Sequence, residues 1–450
     1  MKRHSGLYKA ALQLGLGQHR TRHLLLRALH DISRRVKVIL DLTNIAYPPS
    51  SFRGFPAERG ENKVKVGRCT LGDRYKGILL ARQFCAPSSP LHAVACALVL
   101  LPTAVLSAPQ AADANPYLGK VPFANKGYAK KLEETISYFT KRRDLLSAAR
   151  TRTVQKIPTF AWVSESQSIP SIKELVSDAL RAQTLTRKKQ LLQIVVYNLP
   201  DRDCSAKASD GEFHLDDDGL NKYKGFIDSI AAELQTVAAK KLSFVLILEP
   251  DSLGNIVTNL NVPKCAGAAS AYKEGTSYAI AKLQIPNVAI YLDAAHGGWL
   301  GWDDNLAPSA TLFAEVLEDA KTITPNATVR GLAINVSNYN QYASVVRENF
   351  TEWSNSWDEF HYVNSLAPHL ETSGYPAHFI VDQGRAGQGA IRTEWGQWCN
   401  IRNAGFGIRP TTDQASPVAH VPAPEAGSWF NDYVVNLVKK ANPPLSPTLF

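Results

Sequence analysis

The chain has 450 residues, of which 45% are hydrophobic and 20% charged, and its formal net charge is +10. These values are ordinary for a globular protein of one large domain or two smaller ones. The charge does not indicate a nucleic-acid partner, because residues 1–90 hold 17 basic and 5 acidic residues whereas the remaining residues hold 33 basic and 35 acidic ones. The basic excess is therefore local and says nothing about the partner of the rest of the chain.

The N-terminal part divides into two segments. Residues 1–90 are arginine-rich and broken by proline and glycine, and we interpret them as a wrongly joined upstream segment or a long pre-sequence. Residues 91–108 contain an apolar run of roughly 14 residues that ends in small residues at Ser107 and Ala108. That run is too short to span a bilayer, and it resembles the core of a secretory signal peptide; the alternative is a buried helix. Residues 109–450 are predicted to form one catalytic domain.

From about Asn115 onward, short apolar runs alternate with amphipathic stretches such as Phe226–Lys240 and Trp429–Ala441, which are predicted helices. Such alternation indicates a parallel sheet covered on both faces, and seven strands favour a TIM-like (β/α) barrel over an open doubly wound sheet. No glycine-rich phosphate loop follows the first strand, which weakens any dinucleotide-binding interpretation. The runs are, in chain order, TFAWV, QIVVYNL, FVLILEPD, VAIYLDAAH, GLAINVS, HFIVDQG and GFGIRP.

Polar side chains recur where the predicted strands end. In a parallel barrel the carboxyl ends of the strands meet at one mouth, which carries the active site. Carboxyl groups gathered there repel one another, so at least one tends to stay protonated near neutral pH, as a general acid must be. The strand-end groups are Asn198, Asp201, Asp203, Glu249, Asp251, Asp293, His296, Asn335, Asn338, Asp382 and Arg385.

Tryptophans are the second kind of residue predicted to lie at the mouth of the barrel. Any single tryptophan is more often a core residue, but the Gly-rich GGWLGW segment places Trp299 and Trp302 on a loop, and loops are seldom buried. Flat apolar rings beside carboxylates and amides suit a sugar ring, so the pattern predicts a glycoside hydrolase. The tryptophans at or after strand ends are Trp162, Trp299, Trp302, Trp395 and Trp398.

The motifs VVYNLPDRDCSAKASDGEF, LILEPDSLGNIVTNLNVPKC, AIYLDAAHGGWLGW, GLAINVSNYN, DQGRAG and EWGQWCNIRNAGFGIRP resemble glycoside hydrolase family 6, most closely its fungal cellobiohydrolases. The resemblance runs from about Asn115 to the C-terminus. It implies a distorted seven-stranded barrel, hydrolysis of β-1,4-glucan with inversion, release of cellobiose from non-reducing ends, and no cofactor. The expected partner is cellulose or a related glucan, and the expected protein is a secreted monomer with no nucleic-acid or membrane partner.

The resemblance also implies roles for individual residues. Asp251 is the expected general acid, Asp203 the carboxylate that keeps the pKa of that acid high, Tyr197 the tyrosine beside the distorted sugar, and Ser209 the serine that positions water. The expected disulfide joins Cys204 to Cys265. Glu249 is expected to be structural or orienting, and no metal site is predicted, His296 being expected to orient a carboxylate or a sugar. The expected substrate-binding residues are Trp162, Asp293, His296, Trp299, Trp302, Asn335, Asn338 and Trp398.

The chain departs from the family pattern after GFGIRP. There the family has a long loop with the proposed catalytic base and a cysteine, whereas this chain runs from Pro410 to Pro422 through a short segment containing Asp413, the one carboxylate there that could take the place of the base. Cys399 therefore has no expected partner, and Ser164 stands where the fungal pattern often has Asp. Two alternatives stay open beside the cellobiohydrolase: an open-cleft endoglucanase, and a glucan-binding protein without catalysis.

Overall fold

The computed structural model describes residues 115–206, 208–394, 396–410 and 429–448. The predictions made for residues 1–90 and 91–108, for Trp395 and for Asp413 fall outside these ranges and stay predictions. Within the described ranges, no helix has both the length and the apolar character that a membrane crossing requires.

Seven parallel strands form one sheet. Strands β3 to β7 pair in chain order, while β1 pairs with the beginning of β3 and β2 with its end. Among the described residues no pairing joins β7 to β1, so the sheet is a curled, incomplete barrel, which confirms the predicted distorted TIM-like fold. The strands are β1 Val121–Pro122, β2 Ala161–Val163, β3 Gln190–Val196, β4 Ser243–Leu248, β5 Val288–Asp293, β6 Gly331–Ile334 and β7 Phe379–Val381.

Alternate strand residues fill two separate cores. On β4, Phe244, Leu246 and Leu248 pack outward against helices, whereas Val245 and Ile247 face the barrel interior. Both sets are buried, which is why the strands read as continuous apolar runs rather than alternating ones. The interior cluster comprises Leu191, Val195, Tyr197, Val245, Ile247, Tyr291 and Ala333.

Nine α-helices of seven residues or more lie in the described ranges. They are α1 Lys126–Lys141, α2 Leu145–Val154, α3 Pro170–Thr186, α4 Gly219–Leu234, α5 Ser252–Thr258, α6 Pro263–Lys282, α7 Asp303–Ile323, α8 Glu359–Thr372 and α9 Asn431–Lys439. The predicted helix Phe226–Lys240 was wrong at both ends. The helix ends at Leu234, although the apolar spacing continues to Val237, which is 78% exposed. The spacing also does not show that the helix begins at Gly219.

GFGIRP was wrongly predicted to be a strand, and the seventh strand is instead the two-residue β1. The segment passes between the turn after β7 and the end of α9. A Cβ on Gly405 would lie 1.9 Å from the carbonyl oxygen of Lys440, and one on Gly407 would lie 2.0 Å from that of Gln383. The glycines therefore allow close backbone packing here, which an apolar pattern cannot distinguish from a strand.

Candidate active site

The strand register brings the predicted polar residues to one edge of the sheet. Val196 at the end of β3 pairs with Leu248 at the end of β4, and Asp293 at the end of β5 pairs with Ala333. The residues that follow these strands therefore emerge at one level. This is the C-terminal edge at which the sequence predicted the site.

Several residues just beyond the strands adopt left-handed backbone conformations. The φ angles of Asp203, Glu249, Asp251 and Asn335 are 56°, 54°, 66° and 61°. This conformation is unusual for residues other than glycine, and each such residue costs of the order of 1 kcal/mol or more. The clustering of this strain at the predicted mouth is typical of a functional site, and it directs each side chain differently from an extended strand.

Asp251 and Asp293 are joined through the backbone. The amide of Asp251 donates a hydrogen bond of 2.9 Å to Oδ2 of Asp293, which also accepts one from the amide of Ala295. Burial, with the negative charge of Asp203 next, raises the pKa of Asp251 to about 7. A carboxyl group with this pKa is protonated in mildly acidic solution and can donate a proton to a leaving oxygen.

Asp203 and Tyr197 lie near this acid, and Ser209 is bonded to Asp203. The amide of Ser209 donates a 2.8 Å hydrogen bond to Oδ2 of Asp203, which places the serine beside that carboxylate. Burial raises the pKa of the Tyr197 hydroxyl above its usual range, and the charges of Asp251 and Asp203 raise it further, so the tyrosine lies near both carboxyl groups. The structure thus brings together the four residues expected to be catalytic.

Arg202 fixes the loop that carries Asp203. Its guanidinium lies 4.4 Å from the centroid of the Tyr197 ring and donates hydrogen bonds to the carbonyl oxygens of Ser209 at 2.9 Å and Ser164 at 2.6 Å. It also bonds the carbonyl of Tyr197. One side chain therefore ties the loop to the ends of β2 and β3, a role the sequence motif DRDC did not reveal.

Glu249 is structural, as expected. Its side chain is 1% exposed and accepts hydrogen bonds from the backbone amides of Asn198 and Leu199 and from the hydroxyl of Tyr223. Burial raises the pKa of Glu249 to about 7 despite these donors. Of the two carboxyl groups at the end of β4, that of Glu249 holds the end of β3, whereas Asp251 is a partly exposed residue.

The four described tryptophans predicted to bind substrate divide into two pairs. Trp162 and Trp398 are 40% and 44% exposed, so their rings are open to a ligand. Trp299 and Trp302 are half-buried and their indole nitrogens donate to Thr258 Oγ1 and to the carbonyl of Gly298, which fixes the rings.

The amide residues after β6 differ in their availability. Asn335 is fully buried, and its side chain bonds the backbone of Asn340 and Asp382, so we infer that it holds the loop rather than contacting a sugar. Asn338 is half-buried and its Oδ1 accepts from the amide of Tyr339. Burial, with Arg392 next, lowers the pKa of His296 to about 3, so its ring is neutral at working pH.

A buried polar cluster behind the site was not predicted from the sequence. Oε1 of the fully buried Glu359 accepts from the amide of Gly297 at 2.9 Å and from Nδ2 of Asn340 at 2.6 Å. Asn340 also contacts His296 Nδ1 at 3.2 Å and accepts from Arg392 at 2.6 Å. Since Gly297 follows His296, this cluster holds the loop after β5, which carries Trp299 and Trp302, against the loop after β6. Glu359 is the first residue of α8, and nothing in its local pattern distinguishes it from a surface helix residue.

We expect the protein to be more stable at pH 4.5 than at pH 7.5. Burial is the first cause that raises the pKa values of Glu249, Asp251 and Glu359 to about 7, from usual values near 4. The folded state therefore holds protons that the unfolded chain releases between about pH 4 and 7, and stability falls as pH rises through that window by an amount on the order of a few kcal/mol. Thermal unfolding at pH 4.5, 6 and 7.5 measures this, and a melting temperature that rises with pH would contradict it.

The predicted disulfide is present. Cys204 and Cys265 are bonded and link the Asp203 loop to the beginning of α6, while Cys399 is free and exposed, as the cysteine count indicated. No group of three or more potential ligands in the described part of the chain could hold a metal ion.

Removing this disulfide is expected to destabilise the fold. The bond closes a loop of 61 residues, and the chain-entropy relation gives about 4 kcal/mol for a loop of that length. The double variant Cys204→Ser/Cys265→Ser should therefore unfold at a markedly lower denaturant concentration than the unaltered chain. Cys399→Ser is the matched control, and equal midpoints for the double variant and this control would refute the prediction.

Comparisons with known proteins agree with this geometry. Residues 118–420 match the family described as glycosyl hydrolases family 6. The chain is 47% identical over 354 residues to a 1,4-beta-D-glucan cellobiohydrolase, CEL6B, of Podospora anserina, covering 74% of this chain and 84% of the relative. It is 44% identical to exoglucanase 3 of Agaricus bisporus, covering 74% of this chain and 80% of the relative. The crystal structure of the family 6 enzyme CcCel6C from Coprinopsis cinerea is 60% identical, with a TM-score of 0.72, covering 74% of this chain and 100% of that one.

Proposed function

Because the chain belongs to glycosyl hydrolase family 6, we propose that it is a secreted cellulase that hydrolyses the β-1,4-glucosidic bonds of cellulose with inversion and releases cellobiose from non-reducing ends. The observation that carries the proposal is the Asp251 carboxyl, whose pKa is raised to about 7 by burial and by Asp203, at the C-terminal edge of the sheet.

The proposed reaction begins with proton donation. Asp251 donates its proton to the glycosidic oxygen as the bond from that oxygen to the anomeric carbon breaks, and water adds from the opposite face of the sugar. Tyr197 supports the distorted sugar, and Ser209, held on Asp203, positions water. The remaining role is that of the general base, a carboxylate that accepts the proton of the attacking water. The candidate for this role is Asp413, which lies outside the described residues.

Relatives favour exo action over the two alternatives. The curated relatives bear the names cellobiohydrolase and exoglucanase, which supports an exo-acting enzyme over an open-cleft endoglucanase or a protein that only binds glucan. A cellobiohydrolase of Humicola insolens, 40% identical with a TM-score of 0.69, was solved in complex with glucose and cellotetraose and covers 74% of this chain. We propose the same class of ligand, a β-1,4-glucan chain, for the mouth containing Trp162 and Trp398.

A disulfide and two glycosylation sequons whose asparagines are exposed support the proposal that the protein is secreted. The buried disulfide between Cys204 and Cys265 suits an oxidising compartment. Asn326 and Asn349 are exposed, each begins an Asn-X-Thr sequon, and both are proposed glycosylation sites, whereas Asn335, in the third sequon, is fully buried. We propose that the protein acts as a monomer.

Product analysis tests the function. Hydrolysis of cellotetraose followed by proton NMR should show the α-anomer at the newly formed reducing end before mutarotation, and amorphous cellulose should release mainly cellobiose. Initial formation of the β-anomer would contradict inversion. A rapid fall in the viscosity of a soluble cellulose derivative, with little sugar released, would instead identify an endoglucanase.

A further inference from the structure

An exposed apolar patch lies on the loop between β6 and α8. We define the patch by Val345, Val346 and Trp353, which are 93%, 59% and 83% exposed. An indole ring that exposed is uncommon on a soluble protein, because a tryptophan side chain gains free energy when its large apolar faces leave water. The patch follows the end of β6 and therefore belongs to the same end of the barrel as the active site.

The backbone beneath the patch is held at both ends. The amide of Ser344 donates to Oδ2 of Asp358 at 2.9 Å, just before α8. Nη2 of Arg347 donates to the carbonyl oxygens of Thr351, Glu352 and Ser354 at 2.9, 2.7 and 2.8 Å, which closes the segment around Trp353. The apolar side chains are thus presented to solvent from a fixed backbone, and a ligand would bind them at little conformational cost.

The beginning of α8 supports both the patch and the loop after β5 that carries Trp299 and Trp302. Glu359 bonds the amide of Gly297, and the hydroxyl of Tyr362 donates to the carbonyl of Ala294 at 2.8 Å. Next to Trp302, both carboxylate oxygens of Asp303 accept from Nδ2 of Asn355, at 3.1 and 3.0 Å. Asn355 lies two residues after Trp353, so the Cα atoms of Trp302 and Trp353 are within about 20 Å of each other by chain geometry.

We propose that Trp353 is an additional aromatic contact for β-1,4-glucan outside the catalytic cleft, where it engages the insoluble substrate next to Trp302. The inference rests on the proposed function, since it assigns the same substrate class to a further surface. Glucan fits the patch because its sugar rings present flat C–H faces to an indole ring and hydroxyl edges to the neighbouring Asn355 and Asp303. The patch lies at the same end of the barrel as the tryptophans predicted to bind substrate, and the Asn355–Asp303 bonds connect its segment to the residue next to Trp302.

Adsorption to amorphous cellulose, measured at pH 5 by depletion, tests this proposal. All proteins carry Asp251→Asn so that the surface is not hydrolysed. They are made in the bacterial periplasm so that Asn349, which is exposed and begins a sequon in the same segment, is not glycosylated. Trp353→Ala should weaken adsorption about tenfold, a change of about 1.4 kcal/mol, whereas Trp353→Phe should retain most of the affinity. The melting temperature of Trp353→Ala should stay that of its parent because the ring is exposed.

Leu185→Ala is the matched control. Leu185 is 78% exposed and lies at the end of α3, which leads to the beginning of β3 and hence to the opposite end of the barrel. Its replacement should leave adsorption unchanged. Equal adsorption by Trp353→Ala and Leu185→Ala, or no adsorption by their parent, overturns the inference. Hydrolysis of cellotetraose by the unaltered chain is measured separately. If the chain does not hydrolyse cellotetraose but its adsorption depends on Trp353, the proposed function is refuted and the proposed glucan contact of Trp353 is supported.

Discussion

Replacing Asp251 by Asn is expected to lower kcat on cellotetraose by about 10²–10⁴-fold, the usual contribution of a positioned general acid. An amide has no acidic proton to give to the departing sugar oxygen, although it keeps nearly the same shape. Because the fold places the backbone amide of Asp251, and not its carboxyl, on Asp293, the variant should keep its structure and its affinity for glucan.

A substrate whose leaving group needs no proton separates this role from a general loss of structure. With a dinitrophenyl cellotrioside, bond cleavage does not depend on an acid, so the same variant should lose much less activity than it loses on cellotetraose. Asp319→Asn, an exposed substitution on α7, is the matched control and should behave as the unaltered chain does. Equal losses on both substrates would show that Asp251 does not act as the acid.

The pH profile offers an independent view of the same group. Since the pKa of Asp251 is about 7, activity should fall tenfold per pH unit above that value. Burial is the larger cause of the raised pKa of Asp251, and the charge of Asp203 is the second. Asp203→Asn should therefore shift the pH at which activity begins to fall to a lower value, but not as low as the pKa of an exposed carboxyl group. The direction follows because removing a neighbouring negative charge makes the proton easier to lose.

The sequence predicted well which polar residues meet at one edge of the sheet, for a physical reason. Parallel strands bring their carboxyl ends to one edge, so polar residues that follow apolar runs must converge there, and Asp203, Asp251 and Asp293 do converge. The runs themselves were recognisable because both faces of each strand are buried. Six of the seven predicted strands are present, and the exception, GFGIRP, is apolar because it packs closely on α9 through its glycines.

The supporting residues could not be predicted because they act across large separations in the chain. Glu359 is 62 residues from Gly297, and Arg202 reaches back 38 residues to Ser164. Asn335 shows the limit of strand-end position as a guide, since this position suggested a ligand contact whereas its side-chain amide donates to the backbone of Asn340 and Asp382. Strand-end position predicts which residues approach the mouth, but only the hydrogen-bond partners decide which of them face a substrate.

Glu249→Ala is expected to destabilise the fold more than any exposed substitution would. It removes the acceptor of three donors, the amides of Asn198 and Leu199 and the hydroxyl of Tyr223, in a place where no solvent reaches. Each buried donor left without an acceptor costs about 1–3 kcal/mol, so for three donors the total loss should be about 3–9 kcal/mol, a large share of the stability of a typical domain.

Denaturant unfolding of Glu249→Ala beside Tyr223→Phe measures this loss. The phenylalanine variant removes one of the donors and leaves the other two satisfied, so it should cost much less than the alanine variant. The double variant should cost less than the sum of the two, because Tyr223→Phe removes a donor that Glu249→Ala would otherwise leave unsatisfied. Strict additivity, or a Glu249→Ala protein as stable as its parent, would mean that this carboxyl group does not hold the end of β3 to the end of β4. If the prediction holds, the proline between Glu249 and Asp251 separates two carboxyl groups with different tasks: the first fixes the sheet edge from which the second reaches the substrate.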